Sequence, residues 1–338
     1  MHNVLFVDPV CPVPYDGNTL ESKPQGGTES TVTRIAEALA QRGHRVRITQ
    51  HNRAERADVN GVEHTPFNQL SDFDPSHVVL MRTCGMLGQI AGKWPGARLY
   101  AWYHDQPRKQ SGFQRDAEAL MRHSGTAILL SDWHVAQWRD CLQHFEHGPH
   151  ANRIARLYNP IADDLRPDDT PVDPDKFVFF SIPDKGLRET LEFFARFADH
   201  PLLRDARLHI ASPGYRQVDV EIPEDRVVQL GSLTWNRVIQ EMRSAFMVLD
   251  YNLHMPEAFG LVHAEADAVG TPWIGAHHGA NPEVRSHPDE LMDLEDRDAV
   301  LRRILDWREN GRPNVSAREE FRTSSVVLEW EKLFGEAS

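Results

Sequence analysis

Short apolar runs alternate with longer amphipathic stretches along most of the chain. The first run, VLFVD (4–8), has the length of a buried strand and leads into a loop ending at Gly26-Gly27. TESTVTRIAEALAQR (28–42) then places Ile35 and Leu39 on one face, with Thr28 or Thr31 as caps and Gly43 as the stop, and predicts a helix. Further strands are expected at VRIT (46–49), from His77 (HVVLMR), from Leu99 (LYAWYHD), from Ala127 (AILLS, entering a helix at Asp132) and at RLYNPI (156–161). Alternation of this kind implies a parallel sheet with crossover helices.

The stretch from Asp163 to Lys176 is acidic, holds three prolines and has no period, which is a linker signature. The alternation then resumes: strands at 177–181, 208–212, 227–231, 246–252 and 273–276, and helices at 186–197, 236–245, 260–269, 299–309 and 321–334. Two α/β halves of similar size therefore flank one linker. Ligands of open parallel sheets bind outside the carboxyl ends of the strands, so a cleft between two such halves is the expected site. That architecture alone serves enzymes and binders equally.

Composition narrows the classes. Of 338 residues, 37 are Lys or Arg and 50 are Asp or Glu, a formal charge of −13, which argues against a broad nucleic-acid or anionic-membrane footprint. A 40% hydrophobic and 26% charged balance is that of a globular protein. No apolar run approaches the ~20 residues of a membrane span. MHNVLFVDPV reads as a first strand rather than a signal segment, and three cysteines without metal spacing speak against a disulfide framework or a zinc site. A cytoplasmic protein, at most weakly membrane-associated, is expected.

Chemistry concentrates in HMPEAFGLVHAEADAVGTPWI (254–274). A loop carries Glu257, and Gly260 opens a helix that carries Glu265. Gly260 permits close backbone approach, and the free N–H groups of the first turn favour a phosphate. Eight helical residues rise about 12 Å, so the two carboxylates could bracket an anion and accept from sugar hydroxyls. Read on spacing alone, two solvated surface acids remain the commoner outcome. His144, His147 and His150 recur every third residue, but Gly148-Pro149 breaks any helix that would align them as metal ligands. Aromatic residues such as Trp133 and Trp138 at helical spacing read as core. No G-x-G-x-x-G follows the first strand, which removes a Rossmann dehydrogenase.

Glu257 and Glu265 form the E-x7-E pattern of retaining glycosyltransferases of the GT-B fold, and the chain resembles glycosyltransferase family 4. Pro256-Glu257-Ala258-Phe259-Gly260-Leu261 is similar to the family's P-E-x-F-G-[LI], and Glu265-Ala266 with Gly270-Thr271-Pro272 to its E-A-x-x-x-G-x-P. Gly26-Gly27-Thr28-Glu29, Arg42-Gly43-His44, His104-Asp105, Pro183-Asp184-Lys185-Gly186 and Gly279-Ala280-Asn281-Pro282-Glu283 resemble further family landmarks in the same order. Each of the shorter landmarks also has a plain structural reading as a turn or cap, as does Ser131, which reads only as a helix cap. One departure stands out: Phe180, beside Ser181, occupies the place of the family's phosphate-binding arginine, and Arg188 is the nearest substitute.

The resemblance implies an α/β GT-B protein with two Rossmann-like domains facing a central cleft. It implies an acceptor domain over 1–165, a nucleotide-sugar domain over 166–320, and a C-terminal helix over 321–338 that packs back on the first. It further implies a retaining hexosyltransferase of polysaccharide biosynthesis, which moves a sugar from a nucleoside diphosphate sugar to a hydroxyl of a glycan or glycoconjugate, without a metal or other cofactor. His104, Lys185 and Glu257 would be catalytic. Gly27, Lys185, Glu257, Phe259, Gly260, Leu261 and Glu265 would bind the donor, and Gly26, Thr28 and Asp105 the acceptor. The alternatives are a sugar-nucleotide binder without transfer, motivated by Phe180, and an epimerase or phosphorylase on the same fold.

Overall fold

The computed structural model describes residues 1–82, 85–107, 111–143, 153–197, 199–211 and 225–335. They form two compact units, one of Met1–Thr19, Gly27–Pro160 and Arg322 onward, the other of Leu20–Gly26 and Ile161–Phe321.

Within the first unit the strands are β1 (Asn3–Asp8), β2 (Arg45–Gln50), β3 (Ala57–Val59), β4 (Val62–Pro66), β5 (His77–Met81), β6 (Arg98–Trp102), β7 (Thr126–Leu129) and β8 (Arg153–Arg156). Helix α1 (Gly17–Ser22) starts in this unit and ends in the other, and among the strands run α2 (Gly27–Gln41), α3 (Leu87–Lys93), α4 (Ser111–Arg122) and α5 (Asp132–Leu142). The sheet order is β3-β4-β2-β1-β5-β6-β7-β8, parallel except for the β3–β4 hairpin. Apolar residues of β1, β5 and β6 such as Leu5, Val7, Leu80 and Ala101 pack under Leu87, Phe113 and Trp138 of the covering helices. As the pattern predicts, Gly43 ends α2: its φ of +91° lets the amide of His44 turn back to the Leu39 carbonyl at 3.1 Å.

The second unit has β9 (Asp173–Phe179), β10 (Arg207–Ala211), β11 (Val227–Gly231), β12 (Ala245–Leu249), β13 (Trp273–Ala276) and β14 (Leu291–Met292). Its helices are α6 (Leu187–Phe197), α7 (Trp235–Arg243), α8 (Leu261–Ala268), α9 (Asn281–Val284) and α10 (Arg297–Asn310). All strands are parallel, in the order β11-β10-β9-β12-β13-β14. Phe177, Phe179, Met247, Leu249 and Ile274 form the floor on which Phe193, Phe194 and Trp307 pack.

The last helix, α11 (Thr323–Gly335), belongs to the first unit. Fully buried Trp330 lies 4.7 Å from the ring of Trp102 and 5.8 Å from that of Phe6. Glu331 pairs with Arg42 at 2.7 Å and with His44 at 3.0 Å.

Two expectations shift. The strand expected at 156–161 is instead Arg153–Arg156, because Pro160 has no N–H for a ladder and the Ile161 amide bonds the Phe321 carbonyl at 2.8 Å. The acidic linker ends earlier than Lys176: Asp173 already joins the sheet, its amide bonding the Ser244 carbonyl at 2.9 Å. The hairpin β3–β4 and the short helices α1 and α3 carry no strong periodicity and went unread. Among the described residues no helix is long and apolar enough to cross a membrane. His144, His147 and His150 lie outside the described residues.

Candidate functional site

Strand β9 has β10 on one side and β12 on the other. The connections therefore leave in opposite directions, and a crevice opens at the carboxyl ends of β9 and β12. The loop after β9 brings Lys185 and the loop after β12 brings Glu257. The Lys185 ammonium sits 2.7 Å from Glu257 Oε1 and 2.8 Å from Oε2, with the side chains 30% and 21% exposed.

Glycines make this pairing possible. A Cβ on Gly186 would lie 2.8 Å from the Cα of Asn252, so the two loops approach closer than any other residue allows. A Cβ on Gly279, in the loop after β13, would lie 2.7 Å from the backbone N and O of Glu257, and Ala280 N–H donates to that same carbonyl at 2.9 Å. Asn252 shapes the turn between: its Oδ1 accepts from the amides of His254 and Met255, and its Nδ2 donates to the Met255 carbonyl.

Helix starts supply the anion-binding element. α6 begins beside Lys185, directly after Gly186. α8 begins after Gly260, whose φ of +86° is left-handed and which provides no side-chain cap; the His263 amide turns back to the Gly260 carbonyl at 3.1 Å, so the N–H groups of Leu261 and Val262 are the ones left for a ligand. Glu265 projects from the second turn, is only 4% exposed, and accepts from the indole N–H of Trp235 at 2.8 Å. Phe259 turns inward, edge-to-face with Phe321 at 5.1 Å, and Leu261 is half-buried on the first turn. Phe180 is buried, and Arg188 is exposed on the first turn of α6. A slot of about 60 Å³ lined by Ser181, Pro183, Ile210, Gln229 and Gly231 opens at the carboxyl ends of β9, β10 and β11.

The first unit has its own switch point, at β1 between β2 and β5. Asp8 ends β1 and is fully buried, accepting from the Tyr15 hydroxyl at 3.1 Å and from Arg82 Nε at 3.2 Å. Arg82 follows β5 in a left-handed conformation (φ +64°), and its other guanidinium edge reaches Glu29 at 2.5 Å. Burial opposes the charge on Arg82, yet Asp8 and Glu29 outweigh it and push the guanidinium up.

His104 follows β6, its ring 4.6 Å from that of Trp102. Burial, then nearby Arg82 and His134, hold His104 well below its ordinary 6.5, so the imidazole is neutral. Both its ring nitrogens are buried without a hydrogen-bond partner. His134 supports this loop. Its Nδ1 accepts from the Leu130 amide at 3.3 Å, which leaves the proton on Nε2 to donate to the Asp105 carbonyl at 3.2 Å. Ser131 caps α5 by accepting from the His134 amide at 3.0 Å, as read from the sequence. Asp105 and Gly27 are exposed, Thr28 is half-buried at the start of α2, and Gly26 falls in the second unit.

Lys185, Glu257, Gly260, Leu261 and Glu265 thus share one face of the second unit, while Gly27, Thr28, His104 and Asp105 belong to the first. Sequence reading missed Arg82, Asp8 and Trp235, which stand in no motif and matter through distant partners; His134 stands in the capping word that starts at Ser131, but its support of the Asp105 carbonyl was not read. A cavity of about 800 Å³ on the first unit, lined by Arg98, Tyr100, Thr126, Arg153 and Lys332, sits at the amino ends of β6, β7 and β8, away from these residues. Among the described residues no group of three or more His, Cys, Asp or Glu could hold a metal ion.

No protein-family model matches the chain. An N-acetyl-alpha-D-glucosaminyl L-malate synthase of Bacillus anthracis is 31% identical over 121 residues, 33% of this chain and 31% of that protein, so the chain spans about a third of that relative's length. Solved structures match along nearly the whole chain. Sucrose-phosphate synthase from Thermosynechococcus elongatus gives a TM-score of 0.66 at 16% identity, covering 99% of this chain and 98% of that one. Anabaena HepE, solved in complex with UDP and glucose, gives 0.64 at 15% identity, covering 99% of each. AviGT4, a glycosyltransferase involved in avilamycin A biosynthesis, gives 0.63 at 17% identity over 99% and 97%. At such identities the likeness is one of fold. The chain has the GT-B fold of these glycosyltransferases: two Rossmann-like domains, each on its own sheet, with a last helix that returns to the first.

Proposed function

We propose that the chain is a retaining glycosyltransferase that moves a hexosyl group from a nucleoside diphosphate sugar to a hydroxyl of a glycan or glycoconjugate acceptor, in the cytoplasm and without a metal. One observation carries this reading: Lys185, Glu257 and the uncapped start of α8 converge at the switch point of the second sheet. That set offers a cation and free amides to a diphosphate, and a carboxylate to the hydroxyls beside it. The bound UDP and glucose of HepE supports the same ligand class for this fold.

In the proposed reaction the bond between the anomeric carbon and the diphosphate oxygen breaks, and the electron pair leaves with the diphosphate. Lys185 and the first-turn amides of α6 and α8 stabilise that charge as it develops. The acceptor oxygen attacks from the same side, and its proton passes to a diphosphate oxygen. Glu257 accepts from the donor sugar hydroxyls and Glu265 from the ribose, while the slot beside Ser181 and Gln229 takes the base. His104, neutral, supplies one N–H to the transferred sugar or the leaving phosphate, and Gly26, Thr28 and Asp105 serve the acceptor. Phe180 favours a second reading, a sugar-nucleotide binder that does not transfer, because the phosphate loop has one cation fewer than the family's pattern.

Incubation with UDP-, GDP-, ADP-, CDP- and dTDP-sugars and a panel of oligosaccharide acceptors decides between them. Transfer gives nucleoside diphosphate release, a product one sugar heavier and an α-linkage from an α-donor. Tight donor binding with neither release nor product establishes the binder instead.

A further inference from the structure

His263 lies between Glu257 and Glu265 in the segment 254–274 with no role assigned to it by the sequence, yet it sits beneath the proposed phosphate site. It is the third residue of α8, and helical side chains lean toward the amino end, which brings its ring under Gly260. An ideal Cβ on Gly260 would lie 3.0 Å from His263 Nδ1 and 3.7 Å from Asn281 Oδ1. The side chain is 4% exposed and the ring lies flat on Trp273, centroids 4.0 Å apart at 9°. Its Nε2 meets Asp250 at 2.9 Å.

The other nitrogen is the anomaly. His263 Nδ1 and Asn281 Oδ1 are both buried without a hydrogen-bond partner, and both border the space a Gly260 side chain would fill. The Asn281 amide is oriented by its own Nδ2, which donates to the Ala276 carbonyl at 3.0 Å, so an acceptor faces that space. A neutral His263 that donates through Nε2 puts a second acceptor there. A proton on Nδ1 turns this nitrogen into a donor toward that space, with Asp250 on Nε2 and the face of Trp273 against the ring. The α8 dipole opposes a cation at this end while the site is empty, and an anion on the first turn reverses that opposition.

We propose that the Asp250–His263 pair is the cationic support of the diphosphate site, in place of the arginine that Phe180 replaces, and that diphosphate binding is coupled to proton uptake at His263 Nδ1. The inference rests on the reading of this face as the donor site. His263 is a positioning residue here, acting through Gly260 and the first turn of α8. Among the described contacts of the ring, Asp250 of the β12 end is the charged group; Trp273 of β13, Asn281 of α9 and Gly260 are uncharged, and the Lys185–Glu257 pair flanks the same loop.

The test is calorimetric titration of the full chain with a nucleoside diphosphate and with its parent nucleoside. It runs between pH 6 and pH 8.5 in buffers of different ionisation enthalpy, on wild type, His263→Gln and Asp250→Asn. The terminal phosphate also titrates, so the difference between wild type and variant at each pH is the readout. The expected result is proton uptake by wild type that His263→Gln abolishes. With it goes a loss of diphosphate affinity of roughly tenfold at pH 6, shrinking toward pH 8.5, with nucleoside affinity unchanged. Asp250→Asn should move in the same direction, and it carries the test if His263→Gln does not fold. Equal proton uptake in wild type and variants, or equal loss for nucleoside and diphosphate, overturns the inference while leaving the donor site standing. Failure of wild type to bind any nucleoside diphosphate overturns both.

Discussion

Glu257→Gln should separate binding from turnover, with effects of opposite sign. In the free protein Glu257 holds the ammonium of Lys185, the cation assigned to the diphosphate. A unit pair at 2.7 Å is worth about 1.5 kcal/mol even in the dielectric of water. Both side chains are partly exposed, so screening and side-chain entropy reduce the net value to about 0.2–1 kcal/mol. Glutamine keeps the size and removes the charge, which lifts that one competing ion pair from Lys185. Nucleoside diphosphate should then bind roughly 1.4- to 5-fold tighter to the variant. Transfer should fall by at least about tenfold, because the donor sugar loses charge-assisted hydrogen bonds of ~1.5–3 kcal/mol. Titration calorimetry reads the first effect and initial rates of sugar transfer the second, on the same preparation. A tenfold weaker nucleoside diphosphate complex, or an unchanged transfer rate, refutes the assigned roles.

Trp330→Ala should cost about 3–5 kcal/mol, since it empties a fully buried indole site between Trp102 and Phe6; a loss below about 1 kcal/mol in urea unfolding would show that α11 does not stabilise the first unit. Burial and then neighbouring Glu290 hold the Asp267 carboxyl well above its ordinary range, so the native state keeps a proton that the unfolded chain releases. Stability from that pair is complete below about pH 4 and is lost as pH rises toward the raised value, so Asp267→Asn, a permanent donor, should raise Tm at pH 8 and leave it unchanged near pH 4. Equal Tm differences at both pH values count against the shared proton. On the acid side, burial lowers His64, His77 and His134 from 6.5 to about 4, so the native state refuses protons that the unfolded chain takes up. Each contributes at most about 3 kcal/mol that is present above pH 6.5 and lost as pH falls toward 4; His64→Gln should flatten the decline seen by denaturant unfolding between pH 7 and pH 5, and an unaltered slope would remove His64 from that set.

The strands and helices that carry the fold were legible where burial is continuous or one-sided. β1 is buried at all but its first residue, and α2 is buried at every position from Glu29 to Ala36 while Val32, Ile35 and Leu39 keep helical spacing, so apolar runs and spacing report them directly. β8 exposes both of its ends and β9 opens on exposed Asp173-Pro174, so neither onset differs locally from a loop. The same division holds at the site. Lys185, Glu257 and Glu265 stand in contiguous words that a chain shows without folding. Arg82 finds Asp8 across 74 positions and Trp235 finds Glu265 across 30, and such choices are made by the sheet order rather than by the neighbouring residues. His263 is another case, visible only once Gly260 and Asp250 surround it. Gly26-Gly27-Thr28 and His104-Asp105 were readable as words, whereas the neutral state of His104 depends on burial of its ring nitrogens and then on Arg82 and His134.

The most direct test of a donor-phosphate site on the second unit is calorimetric titration of wild type and Lys185→Met with UDP, GDP, ADP, CDP and dTDP, and with the matching nucleosides. The expected result is one preferred nucleoside diphosphate whose affinity drops about tenfold or more in Lys185→Met, while the nucleoside binds both proteins alike. Binding of no nucleoside diphosphate, or equal binding by wild type and Lys185→Met, contradicts the site.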